Sequence, residues 1–149
     1  MKENNRKLNF ELVPDGCWGY NLRSILSKEQ WDFLKKDAKY RANGKCSICG
    51  KNTKFLDTHE RWSYDQANGI QKLEDIIAVC KDCHSAIPIG YTSIKGNLEK
   101  AENHYMKVNG VSYAIMKNDL SIANQKHKKL NEVSEWKLDL SFLKRYIKD

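Results

Sequence analysis

Cys46-Ser-Ile-Cys49 and Cys80-Lys-Asp-Cys83 are two C-x-x-C knuckles with thirty residues between them, and they decide the fold of this chain. The spacing within each knuckle lets both sulfurs face one tetrahedral cation, and four thiolates suit zinc. Gly50 fits the tight turn that the first knuckle needs. Redox use of a C-x-x-C pair is the alternative, but two pairs together favour a metal. We therefore predict one structural Zn²⁺ held by all four thiolates, with no open coordination position for catalysis.

The segment between the knuckles predicts two strands that lead into a helix. Residues 54–59 favour a first strand and residues 76–79 a second, buried one, while the second cysteine pair opens a helix. Because the knuckles clamp the ends of this segment, the metal is expected to hold both strands in place. Cys17 lies outside the four-cysteine arrangement and is predicted to be a part-buried thiol.

The outer parts of the chain predict mainly helices. Ser27 and Gln30 fit a capping box, and Asn43-Gly44 is a stop signal for the helix that follows. Residues 98–108 and 116–130 carry apolar side chains at helical spacing, which predicts two more amphipathic helices.

Two short strands are predicted outside the knuckle segment. Residues 10–13 favour a strand stopped by Pro14, and residues 136–140 alternate apolar and polar side chains. Residues 136–140 are a candidate pairing partner for residues 10–13. A final turn or helix is expected over residues 141–147, so the fold class is α+β with more helix than strand.

Charge and composition limit the classes of function. The 149 residues carry 26 Lys and Arg against 19 Asp and Glu, a formal net charge of +7. Residues 1–45 and 91–149 each have a net charge of +4, whereas residues 46–90 have −1. This pattern favours a polyanionic partner gripped by basic flanks, and the alternative is that lysine-rich helix faces are merely solvated.

The same composition bears on location. No run of about 18 apolar residues predicts a membrane span, and the charged start leads into no apolar secretory signal. Five cysteines without such a signal indicate a reducing compartment, so we expect a cytoplasmic protein. The oligomeric state is left open by the sequence.

Three blocks of sequence resemble the HNH endonuclease family, in the branch that has two zinc knuckles around its site: Thr58–Asp65, Gln71–Leu73 and Ile77–His84. Looser matches extend the resemblance over nearly the full chain, at Val13-Pro14, Cys17-Trp18, Asn21–Arg23, Val108–Gly110 and Trp136–Leu140. The resemblance implies a zinc-stabilised ββα-metal core that hydrolyses DNA phosphodiester bonds with a divalent metal such as Mg²⁺, Mn²⁺ or Zn²⁺.

The sequence has no internal repeat and no linker rich in Pro, Gly or Ser, so we expect one domain, with three parts. Residues 1–45 would be an N-terminal strand and helix arm, residues 46–96 the zinc-knuckle core, and residues 97–149 a helical C-terminal extension. A strand ending in histidine, a second strand and a helix with another histidine would bring metal ligands and a base to one phosphate.

Carried onto this sequence, the resemblance predicts His59 and His84 as ligands of the catalytic metal and Glu60 as the base. An alignment shifted by one residue makes His59 the base and Thr58 a poor ligand. Asp65 is a further candidate ligand.

One departure from the family separates two functions. The family's helix commonly carries a second histidine four residues after the first, and Pro88 stands there, without a donor atom for a metal. The first hypothesis remains an HNH-type endonuclease. The alternative is a catalytically inactive zinc-stabilised module that binds nucleic acid or a protein partner, such as an inhibitor from a phage or other mobile element.

Candidate nucleic-acid contacts come from basic and aromatic side chains. Arg61 and Trp62 follow the predicted metal ligand, and Lys35 and Lys39 lie on the first long helix. The competing interpretation is that the lysines form a solvated helix face and that the tryptophan packs against the zinc core.

Overall fold

The computed structural model describes residues 6–146, apart from the side chain of Tyr91. Within this range lie the helices α1 (Leu22–Ile25), α2 (Lys28–Ala42), α3 (Lys81–Ala86), α4 (Ile89–Ile94), α5 (Leu98–Asn109) and α6 (Tyr113–Leu130). The strands of the same range are β1 (Leu56–Asp65), β2 (Ile70–Cys80) and β3 (Lys137–Asp139). Short 3₁₀ helices cover Asp15–Cys17 and Ser141–Tyr146. The mixture of helix and strand confirms the predicted α+β class.

A long antiparallel hairpin of β1 and β2 forms the centre of the sheet. Its register runs from Leu56 opposite Cys80 to Asp65 opposite Ile70, with an irregularity after Arg61. Both strands are longer than residues 54–59 and 76–79, so His59 lies in the middle of a strand rather than at its end. The extension is possible because the hairpin closes only at residues 66–69.

The turn of this hairpin is held by short-range hydrogen bonds. The Asp65 carboxylate accepts from the backbone amide of Asn68 at 3.1 Å and from its side-chain amide at 2.8 Å. Gly69 has a φ of +65°, a left-handed conformation that suits glycine. Its carbonyl oxygen accepts from the Lys137 amide at 2.7 Å, which brings β3 alongside β2.

The sheet corrects the predicted pairing of the two terminal segments. β3 pairs in parallel with Ile70–Lys72 of β2, and residues 10–13 form no strand. The reason is that other groups take the backbone bonds of the N-terminal segment. Asn109 both donates to and accepts from the Leu8 backbone, and the Glu11 amide donates to the Ile87 carbonyl oxygen at 3.1 Å.

The helices outside the hairpin follow their sequence signals. Ser27 and Gln30 form a reciprocal capping box, and α2 ends at Asn43 with a left-handed φ of 52°. The two predicted C-terminal helices are confirmed as α5, which ends at Gly110, and α6. Of the predicted final element, residues 141–146 form a 3₁₀ helix, and residue 147 lies outside the described residues.

One buried cluster joins all three parts of the chain. Leu8 of the N-terminal segment, Ile76 of β2 and Tyr105 of α5 are essentially inaccessible to solvent and belong to it. Cys17 is only 2% exposed, so the prediction of a part-buried thiol underestimated its burial. None of the helices within residues 6–146 is long and apolar enough to cross a membrane.

Replacing Gly69 by alanine should lower the free energy of unfolding more than replacing Gly110. Both glycines have nearly the same left-handed φ, 65° and 63°, so alanine costs about 1 kcal/mol at either position. Only at Gly69 would the new methyl group meet a carbonyl oxygen, that of Glu135, at 2.7 Å. We expect Gly69→Ala to destabilise by at least about 1 kcal/mol more in urea denaturation. Equal losses would contradict the close approach of residues 69 and 135.

Candidate functional site

The four knuckle cysteines come together in the folded chain. The sulfurs of Cys46, Cys49, Cys80 and Cys83 all lie within 4.8 Å of one another, and Cys49 and Cys80 are 3.7 Å apart. Zinc–sulfur bonds of about 2.3 Å would place tetrahedral sulfurs roughly 3.8 Å apart, so the spacing fits. The four cysteines can therefore hold a structural zinc ion, as the sequence predicts.

Backbone amides prepare the sulfurs for a cation. The amides of Ile48 and Cys49 point at the Cys46 sulfur at 3.4 and 3.5 Å. Burial raises the pKa of the Cys46 thiol, but these amides and their neighbours outweigh burial and lower that pKa to about 7. Burial and the adjacent Cys46 raise the pKa of Cys83 far above its ordinary range. A dication is thus needed before all four sulfurs can be thiolates together.

A histidine that sequence reasoning missed lies against this cluster. The Nε2 atom of His104, on α5, is 3.2 Å from the Cys83 sulfur. Burial lowers the pKa of His104, which favours a neutral ring whose N–H can donate to a zinc-bound thiolate. Only the packing of α5 against α3 reveals this contact, because twenty-one residues separate the two side chains.

The cysteine cluster also positions the start of α3, the helix that carries His84. The first knuckle precedes β1, and the second knuckle joins β2 to α3. The Ser47 amide donates to the Ala78 carbonyl oxygen at 2.9 Å, which ties the first knuckle to β2. The start of α3, and with it His84, is consequently fixed relative to the hairpin.

His59 of β1 and His84 of α3 face each other, as the sequence predicts for two residues of one site. Their ring centroids are 5.8 Å apart and their planes meet at 66°. The side chain of His59 is 12% exposed and that of His84 is 41% exposed. Both imidazoles therefore lie at a partly open surface that a substrate can reach.

Each of these imidazoles has a carboxylate partner that sequence reasoning missed. Asp57 Oδ2 lies 3.0 Å from His84 Nδ1, and Glu11 Oε1 lies 3.2 Å from His59 Nε2. Burial acts to raise the pKa of Asp57, but its contacts with Lys81 and His84 outweigh burial and lower it. Strand alternation could have identified Asp57, two residues before His59 on the same face. No local signal points to Glu11, which is forty-eight residues away.

Glu60 lines the same cavity as His59 and His84, but its carboxylate is already bonded. Its Oε1 accepts from the Leu22 amide at 3.0 Å and from the Trp62 indole at 3.2 Å. Burial raises the pKa of Glu60. The Thr58 hydroxyl, the ligand of the shifted alignment, is buried without a hydrogen-bond partner in the described part of the chain.

The other predicted residues fall in different places. Asp65 holds the hairpin turn, six residues or roughly 20 Å along the strand from His59. Lys35 pairs with Asp32 at 3.3 Å, and Lys39 is exposed on the same helix. Arg61 and Trp62 line a cavity of about 830 Å³, as do both site histidines, whereas the two lysines do not.

Among the described residues, only the cysteines form a group of three or more ligand atoms that all lie within 4.8 Å of one another. The histidine–carboxylate group would need side-chain rotation to surround an ion. Pro88 follows the end of α3 and supplies no donor there.

Comparisons with models of protein families, with curated proteins and with solved structures found no match to this chain.

Removal of the metal from the four-cysteine cluster should unfold the hairpin. Zinc binding to four thiolates is worth about 10–16 kcal/mol, which is comparable to the whole stability of a small domain. We expect one zinc per chain by elemental analysis and loss of the thermal transition after chelation. Cys83→Ser should lose the zinc, while Cys17→Ser, a buried cysteine outside the cluster, should keep it. A full zinc content in Cys83→Ser would contradict the assignment.

Glu60 variants should separate a structural carboxylate from a working base. Glu60→Ala leaves the Leu22 amide and the Trp62 indole without an acceptor, which should destabilise the chain by about 1–3 kcal/mol. Glu60→Gln should lose much less stability, because the side-chain amide oxygen can still accept both hydrogen bonds. Urea denaturation of the two variants measures this difference, and a structural role further requires that Glu60→Gln keep any cleavage activity.

Proposed function

We propose that this chain is an HNH-type metal-dependent endonuclease that hydrolyses DNA phosphodiester bonds. The observation that carries the proposal is the facing pair His59 and His84, 5.8 Å apart, on a strand and a helix joined by the cysteine cluster. The order of β1, β2 and α3 along the chain matches the strand–strand–helix core of that family. This order of elements supports the proposal because both imidazoles line the same cavity.

The types of donor atom around this pair suit a divalent cation, once side-chain rotation brings them around it. Imidazole nitrogens suit zinc and carboxylates suit manganese or magnesium, so His59, His84 and the nearby Asp57 offer a mixed nitrogen and oxygen set. Such an ion, when bound, would polarise the scissile phosphate and lower the pKa of an attacking water. An imidazole that does not bind the ion can take the proton of that water near neutral pH.

The cavity beside the histidines is lined by an arginine side chain that can contact the phosphate backbone of DNA. Arg61 lines this cavity, and its side chain makes no hydrogen bond or ion pair with the described part of the chain. Arg6 also lines it, but its guanidinium is taken by Asp119 at 2.7 Å. Arg61 is therefore the better phosphate contact, and the basic flanks of the chain add a long-range attraction for DNA.

Pro88 favours a second candidate function. It stands where the resembled family has a further ligand, and it separates α3 from α4. With that ligand missing, the chain would be a zinc-stabilised module that binds DNA or a protein partner without cleaving. Such a module needs the structural zinc and the basic surface but not His59 or His84.

Purified chain incubated with supercoiled plasmid and Mg²⁺, Mn²⁺ or Zn²⁺ tests the two functions. We expect nicked and linear product, and at least about a 100-fold lower rate for His59→Ala and for His84→Ala, since each would lose a ligand or a base. His127→Ala is the matched control, because His127 contacts the Val13 carbonyl oxygen at 3.0 Å instead of the other histidines.

The contrary outcomes are distinct. Cleavage that survives both site substitutions would come from a contaminant and would contradict the endonuclease. Salt-sensitive DNA binding without cleavage would favour the inactive module, because phosphate contacts weaken steeply as salt rises. No DNA affinity even at low salt would favour a protein partner.

A further inference from the structure

We infer that Glu11 is a positioning residue for His59, so that the N-terminal segment is a working part of the site. The inference rests on the proposed function in treating His59 as an imidazole that binds metal or accepts a proton. Its structural basis is the contact between Glu11 Oε1 and His59 Nε2 at 3.2 Å. The sequence resemblance to the HNH family assigns no role to this residue.

The contact decides which nitrogen of His59 keeps a lone pair that can accept a proton or bind a metal ion. A carboxylate accepts hydrogen bonds only, so the neutral ring must carry its proton on Nε2, and Nδ1 keeps the lone pair. With side chains 12% and 31% exposed, water competes only in part for this bond. Glu11 thus holds both the tautomer and the orientation of the ring, as carboxylates do for metal-binding histidines.

His84 is held in the same way from another part of the chain. Asp57 Oδ2 accepts from His84 Nδ1 at 3.0 Å, which leaves Nε2 of that ring as the acceptor. Asp57 belongs to the same strand as His59, whereas Glu11 comes from a segment without regular structure. The pair of imidazoles is therefore completed only when the N-terminal segment is in place.

Several anchors place Glu11 with more precision than a free arm would have. Asn109 brackets the Leu8 backbone with bonds of 3.0 and 2.9 Å. The ring of Phe10 stacks on Tyr105 with centroids 4.0 Å apart and planes 9° from parallel. These contacts lie within three residues of Glu11 and therefore restrict the position of its carboxylate.

The backbone of Glu11 is itself anchored to the segment around Pro88, where the HNH family has a further ligand. Its amide donates to the Ile87 carbonyl oxygen at 3.1 Å. That oxygen is available because α3 ends at Ala86 and α4 begins at Ile89, with Pro88 between them. Pro88, which stands where the family has a ligand, thus directly follows Ile87. The carbonyl oxygen of Ile87 holds the Glu11 backbone, and with it the Glu11 carboxylate, near His59.

Nitrogen-15 NMR of the zinc-loaded full chain tests this inference through the ring nitrogens of His59. Spectra are taken at about pH 8, above the ordinary imidazole range. We expect a protonated Nε2 in the unaltered chain and in Glu11→Gln, whose amide oxygen can still accept. Glu11→Ala should show a mixture of tautomers. Glu74→Ala is the matched control, because Glu74 lines the same cavity but contacts Ser63 and Lys72.

Plasmid cleavage provides the second readout. Glu11→Ala should reduce the rate about 10- to 100-fold, as loss of a partner to a metal-binding residue does, with substantial rescue in Glu11→Gln. The inference is overturned if His59 keeps its tautomer in Glu11→Ala, or if Glu74→Ala shifts it equally. A wild-type chain that cleaves no DNA contradicts the proposed function alone, and the NMR comparison still decides the role of Glu11.

Discussion

The convergence of four sulfurs is the constraint on which the rest of this molecule depends. Cys46 and Cys49 precede the hairpin, and Cys80 and Cys83 lie at and after its end, so one cation held by all four sulfurs would close a loop of nearly forty residues. The sulfurs are mostly buried and resist joint ionisation without a cation, because burial and mutual repulsion oppose it. A cation at the four sulfurs would therefore join the hairpin and the start of α3, and the contact of His104 with Cys83 extends this group of residues to α5.

The candidate site follows from this group of residues by simple geometry. The β1–β2 hairpin and the helix that follows β2 at the second knuckle have a narrow range of relative positions, and His59 of β1 and His84 of α3 face each other there. Two carboxylates then satisfy one nitrogen on each ring, one from β1 and one from the N-terminal segment. Arg61 adds a cation at the adjoining cavity. The proposed metal-dependent phosphodiester hydrolysis would use this combination of imidazoles, carboxylates and a cation.

Predictions made from local patterns agreed with the structure where local forces decide. The capping box at the start of α2 and the Asn43-Gly44 stop at its end act within a few residues, so they could be recognised from sequence. The strand predicted at residues 10–13 was wrong because its pattern resembles a strand, while the Ile87 carbonyl oxygen takes the Glu11 amide and the Trp18 indole donates to the Val13 carbonyl oxygen. The lengths of β1 and β2 were missed because polar residues beyond His59 pair across the hairpin just as apolar ones do.

The amino-acid sequence by itself indicated the four cysteines that can hold zinc and the long helices, because regular spacing is enough to recognise them, and the family resemblance assigned His59 and His84 to one site. Only the tertiary structure decided that Glu60 bonds to Leu22 and Trp62 and that Asp57 and Glu11 contact the two imidazoles. The physical reason is that side-chain direction on a strand depends on its length and register. The Glu11 contact in turn depends on anchors to α5 and to the end of α3, which lie far from residue 11 in the chain and near it only after folding.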